Sequence, residues 1–172
     1  MHYGNSGIEN VLPYLLEVDL IANWIPQFKK VTQTYRVDST RRFLDAQCDM
    51  PFPLSVRQSS VYVQAFNNLE VNGTLTYILT SIDTGSGEDR KVPQHIREIA
   101  TQFLKENGNQ NKNKKTVNMD IKLLCGEFKF HDKSTFTLSE YSSINVNSFS
   151  LPKTFNKMFI KSFVLGKFNT MQ

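Results

Sequence analysis

Cysteine is scarce in this chain: Cys48 and Cys125 are the only two among 172 residues, and they lie too far apart in sequence to form a metal or dithiol spacing. Both read as reduced, buried thiols. Histidine is equally thin. His2, His95 and His131 fall in different stretches without a carboxylate or cysteine at ligand spacing, so the sequence predicts no metal centre, and no motif calls for a cofactor. No basic segment followed by an apolar run opens the chain, and no run is long and apolar enough to span a bilayer. The expectation is therefore a cytoplasmic protein. Charge of one sign is modest too. The net +4 draws much of its excess from Lys112, Lys114 and Lys115, which does not make a nucleic-acid footprint. Finally, no nucleophile, base and orienting partner can be assigned. Glu127, Asp132 and Glu140 read as solvated hairpin carboxylates, so a non-enzymatic protein is expected.

What the chain does have is enough apolar sequence, 40% of its residues, to bury one substantial core in a single domain spanning residues 1–172. Ile8, Val11, Leu12, Leu15, Leu16, Leu20 and Ile21 recur mainly at three and four, the stripe of an amphipathic helix. Pro13 interrupts it, and the expectation is a helix proper that starts near residue 12 after a separate turn. Short β-rich runs follow over about 31–37, 42–49, 56–67 and 74–83. Asn72-Gly73 joins the last two and reads as a type I′ hairpin turn, because both residues accept φ > 0 at low cost.

In the strand before that turn, Arg57, Ser59, Val61, Val63 and Ala65 share one face. Most are small, which leaves volume beside the sheet. Residues 84–115 break the pattern with an inserted helix near 93–105, then a mobile polar loop rich in asparagine and lysine. Next, Val117, Met119, Ile121, Leu123 and Cys125 alternate with Asn118, Asp120, Lys122 and Leu124 as a half-buried strand. The parity then flips to Phe128 and Phe130, which a bulge at Gly126 would explain. One more strand is expected over about 135–146. The chain closes on a helix over about 152–167 whose Phe155, Phe159 and Phe163 recur every four residues. Periodicity alone makes those three core packing.

Two segments carry a likeness. Leu16-Glu17-Val18-Asp19-Leu20 leads to Trp24-Ile25-Pro26, and Met50-Pro51-Phe52-Pro53-Leu54-Ser55-Val56-Arg57 marks a sheet corner, since each proline removes a ladder donor. Together they resemble the START-type lipid-binding domains of the Bet v 1-like helix-grip superfamily, with their helix ending in Trp and Pro and their Pro-Leu-Ser-x-Arg-Asp corner. Cys125-Gly126-Glu127-Phe128 resembles the family's Gly-Gly-x-Phe strand, and Leu151-Pro152 stands before the last helix. Three positions depart from the pattern. Gln58 replaces the family's Asp, and Val63 stands where sterol-binding members place a buried arginine. Only a few residues precede Ile8, where the family has a helix and about three strands.

The resemblance implies an α+β fold in which a curved antiparallel β-sheet grips a long C-terminal α-helix, with a shorter helix near the N-terminus. It further implies a cavity between sheet and C-terminal helix that binds or transfers one lipid or other hydrophobic molecule. The wall candidates are Arg57, Ser59, Val61, Val63, Met119, Ile121, Phe155, Phe159 and Phe163. Read from its position alone, Arg57 is a residue that holds the corner through loop carbonyls. Lys112, Lys114 and Lys115 are candidates for transient contact with an anionic membrane. The alternatives are a protein-interaction module with a degenerate pocket, or a superfamily enzyme acting on an apolar substrate.

Overall fold

The computed structural model describes residues 2–4, 8–18, 28–50, 55–82, 94–107, 117–133 and 135–145. Period-2 alternation builds a sheet from long strands: β2 (Phe28–Arg36), β3 (Arg41–Cys48), β4 (Arg57–Asn68), β5 (Thr74–Ser81), β7 (Asp120–Phe130) and β8 (Phe136–Asn145). Two short strands complete it, β1 (His2–Gly4) and β6 (Val117–Asn118). The order is β1-β8-β7-β5-β4-β3-β2, antiparallel throughout, while β6 pairs parallel with the start of β4. The long strands fall within a few residues of their expected places. β1 was not expected, being only three residues long and too short to display a period.

The sheet has two unlike faces. On the inner one, Val31, Leu44, Ala46, Val61, Leu75, Ile121, Leu124, Phe128 and Leu138 form one buried cluster, joined by Val18 and Met119. On the outer one, Phe43 and Tyr62 pair across β3 and β4 in a tilted contact with ring centroids 5.6 Å apart. Ile96, 1% exposed, packs onto them. Ile96 belongs to the helix Gln94–Asn107, here α3. Its apolar residues at helical spacing predict this arrangement, because a helix of this length is stable in water mainly by packing one face.

Three local expectations are corrected. The first helix, α1, runs Ile8–Leu16 with Pro13 inside it rather than starting near residue 12. A proline forfeits its own N–H bond and crowds the carbonyl four residues back, yet its own carbonyl still accepts from Glu17 N at 2.7 Å. Second, Asn72-Gly73 is not a two-residue turn. A short helical turn, α2 (Leu69–Asn72), connects β4 to β5 and is ended by Gly73 in the left-handed region at φ 71°, the conformation glycine adopts without a Cβ penalty. Third, no bulge lies at Gly126. The register shift falls between Ile121 and Leu123, so parity changes at Lys122 and Leu124, Gly126, Phe128 and Phe130 share the inner face. The Trp24-Pro26 segment, the Pro51–Pro53 corner, the Asn/Lys-rich loop and the C-terminal helix lie outside the described residues.

The β2–β3 turn is held by one carboxylate. Asp38 Oδ1 accepts from Thr40 N, Thr40 Oγ1 and Arg41 N at 2.8–2.9 Å, and Oδ2 accepts from Arg41 Nε at 2.6 Å. The Thr40 backbone bond, then the Arg41 side chain, hold the Asp38 pKa far below the usual carboxylate range. A depressed native pKa gives a contribution that is complete above the unfolded-state value and lost as pH falls through the native one. Asp38 is therefore expected to stay ionised down to pH 3 in a side-chain carbon NMR titration. A midpoint near that of a free aspartate would show that the turn does not hold.

Candidate functional site

Strand parity places the polar and apolar groups of the inner face in rows across the sheet. Arg57, Ser59 and Val61 of β4 stand opposite Cys48, Ala46 and Leu44 of β3. All are buried, Val61 completely. Ser59 Oγ and Ser81 Oγ hydrogen-bond at 2.6 Å, and Ser81 Oγ also accepts from Ile121 N at 2.8 Å. Thus the small hydroxyls of β4 and β5 satisfy each other and one backbone donor instead of facing open space. Arg57 donates from Nη1 to Ser55 O and Ser55 Oγ at 2.9 and 2.8 Å, and burial lowers its pKa. Met119 and Ile121, 4% and 2% exposed, close this end of the sheet.

Along β4 and β5 the packing loosens. Val63 pairs with Leu79, and Leu79 with Leu124; Val63 and Leu79 are only half-buried although they stand in mid-sheet. In the neighbouring row, Ala65, Tyr77, Gly126 and Glu140 stand side by side on four strands. The Tyr77 ring covers Gly126, where an added Cβ would come to 2.5 Å from the ring and its hydroxyl. That close approach, not a bulge, explains the glycine. The Tyr77 hydroxyl donates to Glu140 Oε2 at 2.9 Å. Burial first, and then the Glu140 charge, push the Tyr77 pKa well above its ordinary value.

Sequence reasoning missed Arg42. It sits on β3 in register with Val63, facing inward and 7% exposed, and donates from Nη1 to Leu16 O at the end of α1 at 2.6 Å. The signal was present, since Arg42 shares parity with Leu44, Ala46 and Cys48 in the β-rich run over about 42–49. Of the wall candidates, Arg57, Ser59, Val61, Val63, Met119 and Ile121 are brought onto one side of the sheet. Phe155, Phe159, Phe163, Lys112, Lys114 and Lys115 lie outside the described residues. Among the described residues no cluster of His, Cys, Asp and Glu could hold a metal, and no helix is long and apolar enough to cross a membrane.

No protein-family model matches the sequence, and no curated protein does. Solved structures do match in fold. Human StAR-related lipid transfer protein 5 superposes with a TM-score of 0.72 at 10% identity, covering 99% of this chain and 70% of that one. The lipid transfer and protein localization domain of human StarD13 gives 0.68 at 13% identity, over 99% and 74%. The Zhui aromatase/cyclase of Streptomyces sp. R1128 gives 0.56 at 9% identity, over 99% and 87%. The chain therefore has the START-type helix-grip fold. At such identities the likeness is one of fold and carries no residue roles.

Proposed function

We propose that the chain binds one lipid, or a molecule of similar apolarity, against the inner face of its sheet, and carries it without transforming it. One observation bears most of the weight: Val63 and Leu79, opposite each other in the middle of the sheet, keep accessible surface, while Val61 one row away has none. A self-filled core buries its central positions most completely. Apolar surface left open at mid-sheet is what a ligand would cover, each Å² removed from water contributing about 25 cal/mol. In this reading Arg57, Ser59, Val61, Met119 and Ile121 are the packed end of the pocket, Val63, Leu79 and Tyr77 its wall, and Phe155, Phe159 and Phe163 its roof. The lipid transfer proteins that share the fold favour the same class of ligand. Lys112, Lys114 and Lys115 are assigned to transient contact with an anionic membrane during loading.

The test is direct. Native mass spectrometry of protein purified under mild conditions is expected to give a mass one lipid above the chain, released by organic extraction, and the stripped chain is expected to take up a fluorescent acyl probe at one site. A chain that carries nothing and takes up no probe would remove the proposal.

A further inference from the structure

Resting on that reading, we infer that the bound molecule is an amphiphile with an oxyanion head, a carboxylate or a phosphate, received by Arg42 and Arg36 where β2 and β3 meet the inner face. The guanidinium of Arg42 is charged at any pH of interest and has five N–H donors. Only two find protein acceptors among the described residues: Leu16 O at 2.6 Å and, weakly, Ser39 O at 3.5 Å. The other three point at nothing the described residues supply, in a side chain that is more than nine-tenths buried. No carboxylate pairs with Arg42 or with Arg36 among the described residues. A buried cation is ordinarily paired, because desolvation is costly without a counter-charge.

The surroundings sharpen the deficit. Arg36 stands directly opposite Arg42 in the β2–β3 register, its Nε on Asp38 O at 3.0 Å, and like charges facing each other across strands repel. Burial, then the charge of Arg36, depress the Arg42 pKa. An oxyanion between the two would accept the spare donors in the bidentate geometry that guanidinium favours and cancel the repulsion. The position also fits an amphiphile. The same row continues from Arg42 to Val63 and Leu79, so at a strand spacing of about 4.8 Å the half-buried apolar wall begins one strand from the charge and extends over the next. Capping the last carbonyls of α1 is a competing role for Arg42. That role uses one N–H and leaves the other donors and the facing Arg36 unexplained.

The experiment compares molecules of one chain length on the stripped full chain: palmitate, palmitoyl lysophosphatidic acid, hexadecanol and inorganic phosphate, each by calorimetry or probe displacement. Both anionic amphiphiles are expected to bind more tightly than hexadecanol. The substitution Arg42→Gln is expected to cut anionic binding by about 10- to 100-fold, the usual worth of charge-assisted bonds, while leaving hexadecanol unchanged. Arg36→Gln alters an exposed side chain, so its several-fold loss for the anions is expected without a change in fold. Should Arg42→Gln not fold, Arg36→Gln and Arg42→Lys carry the comparison. If hexadecanol equals palmitate and both variants leave that equality intact, the head-group assignment is overturned while the pocket stands. If inorganic phosphate binds as tightly as the lysophospholipid, the site is one for a free anion and the amphiphile is rejected. No uptake of any amphiphile would defeat the pocket itself, and this inference with it.

Discussion

Replacing Phe128 by alanine is expected to cost about 3–5 kcal/mol of stability, the range for deleting a buried phenyl ring. Phe128 is 1% exposed. Its ring lies 5.6 Å from that of Phe136 and 6.2 Å from that of Tyr77, and its cross-strand neighbours are Leu75 and Leu138. β-strands on both sides fix the backbone by hydrogen bonds, so the cavity left by the ring has little freedom to collapse. For a domain of this length each kcal/mol lowers Tm by about 2–4 °C, which makes the loss readable by thermal or urea unfolding. A cost below about 1 kcal/mol would contradict this packing.

The second large effect concerns Gly126. A Gly126→Val side chain would occupy the space of the Tyr77 ring, already 2.5 Å from an ideal Cβ, so the ring must leave the sheet. Overpacking of this kind costs about 1–3 kcal/mol. The displaced tyrosine also loses its bond to Glu140, adding about 1 kcal/mol. A double-mutant cycle separates this from glycine's backbone role. With Tyr77→Ala in place, Gly126→Val is expected to cost little, since the clash is gone and valine suits a strand. An undiminished cost in the Tyr77→Ala background would point to the backbone instead. The displaced ring would also occupy part of the proposed pocket, so the same variant should take up less acyl probe.

These two residues show how far the sequence reaches. Alternation marks the long strands because each buries one side, and it puts Arg57, Ser59, Val61 and Val63 on a common face, as found. The change of parity after Ile121 is written in the adjacent pair Leu123-Leu124, yet Gly126 drew the assignment because glycine commonly marks a bulge. Its true reason is an aromatic ring on another strand, a tertiary fact that local spacing does not encode. Arg42 escaped for a related cause: its inward orientation follows from parity, but its lack of a counter-ion depends on what α1 and β2 bring beside it. The start of α1 was misjudged in the other direction, since one proline outweighed a stripe of apolar residues that the helix in fact keeps.

Among the described residues β2 ends the sheet opposite β1, and it is irregular there, with register shifts between Phe28 and Lys30 and between Gln33 and Tyr35. Lys29, Lys30 and Arg36 stand exposed along it. An incoming strand would have to match two interruptions and to desolvate a row of cations, both of which deter edge-to-edge joining. If the chain carries apolar cargo as proposed, this guarded margin is what would disfavour polymerisation through its own sheet while the pocket is empty.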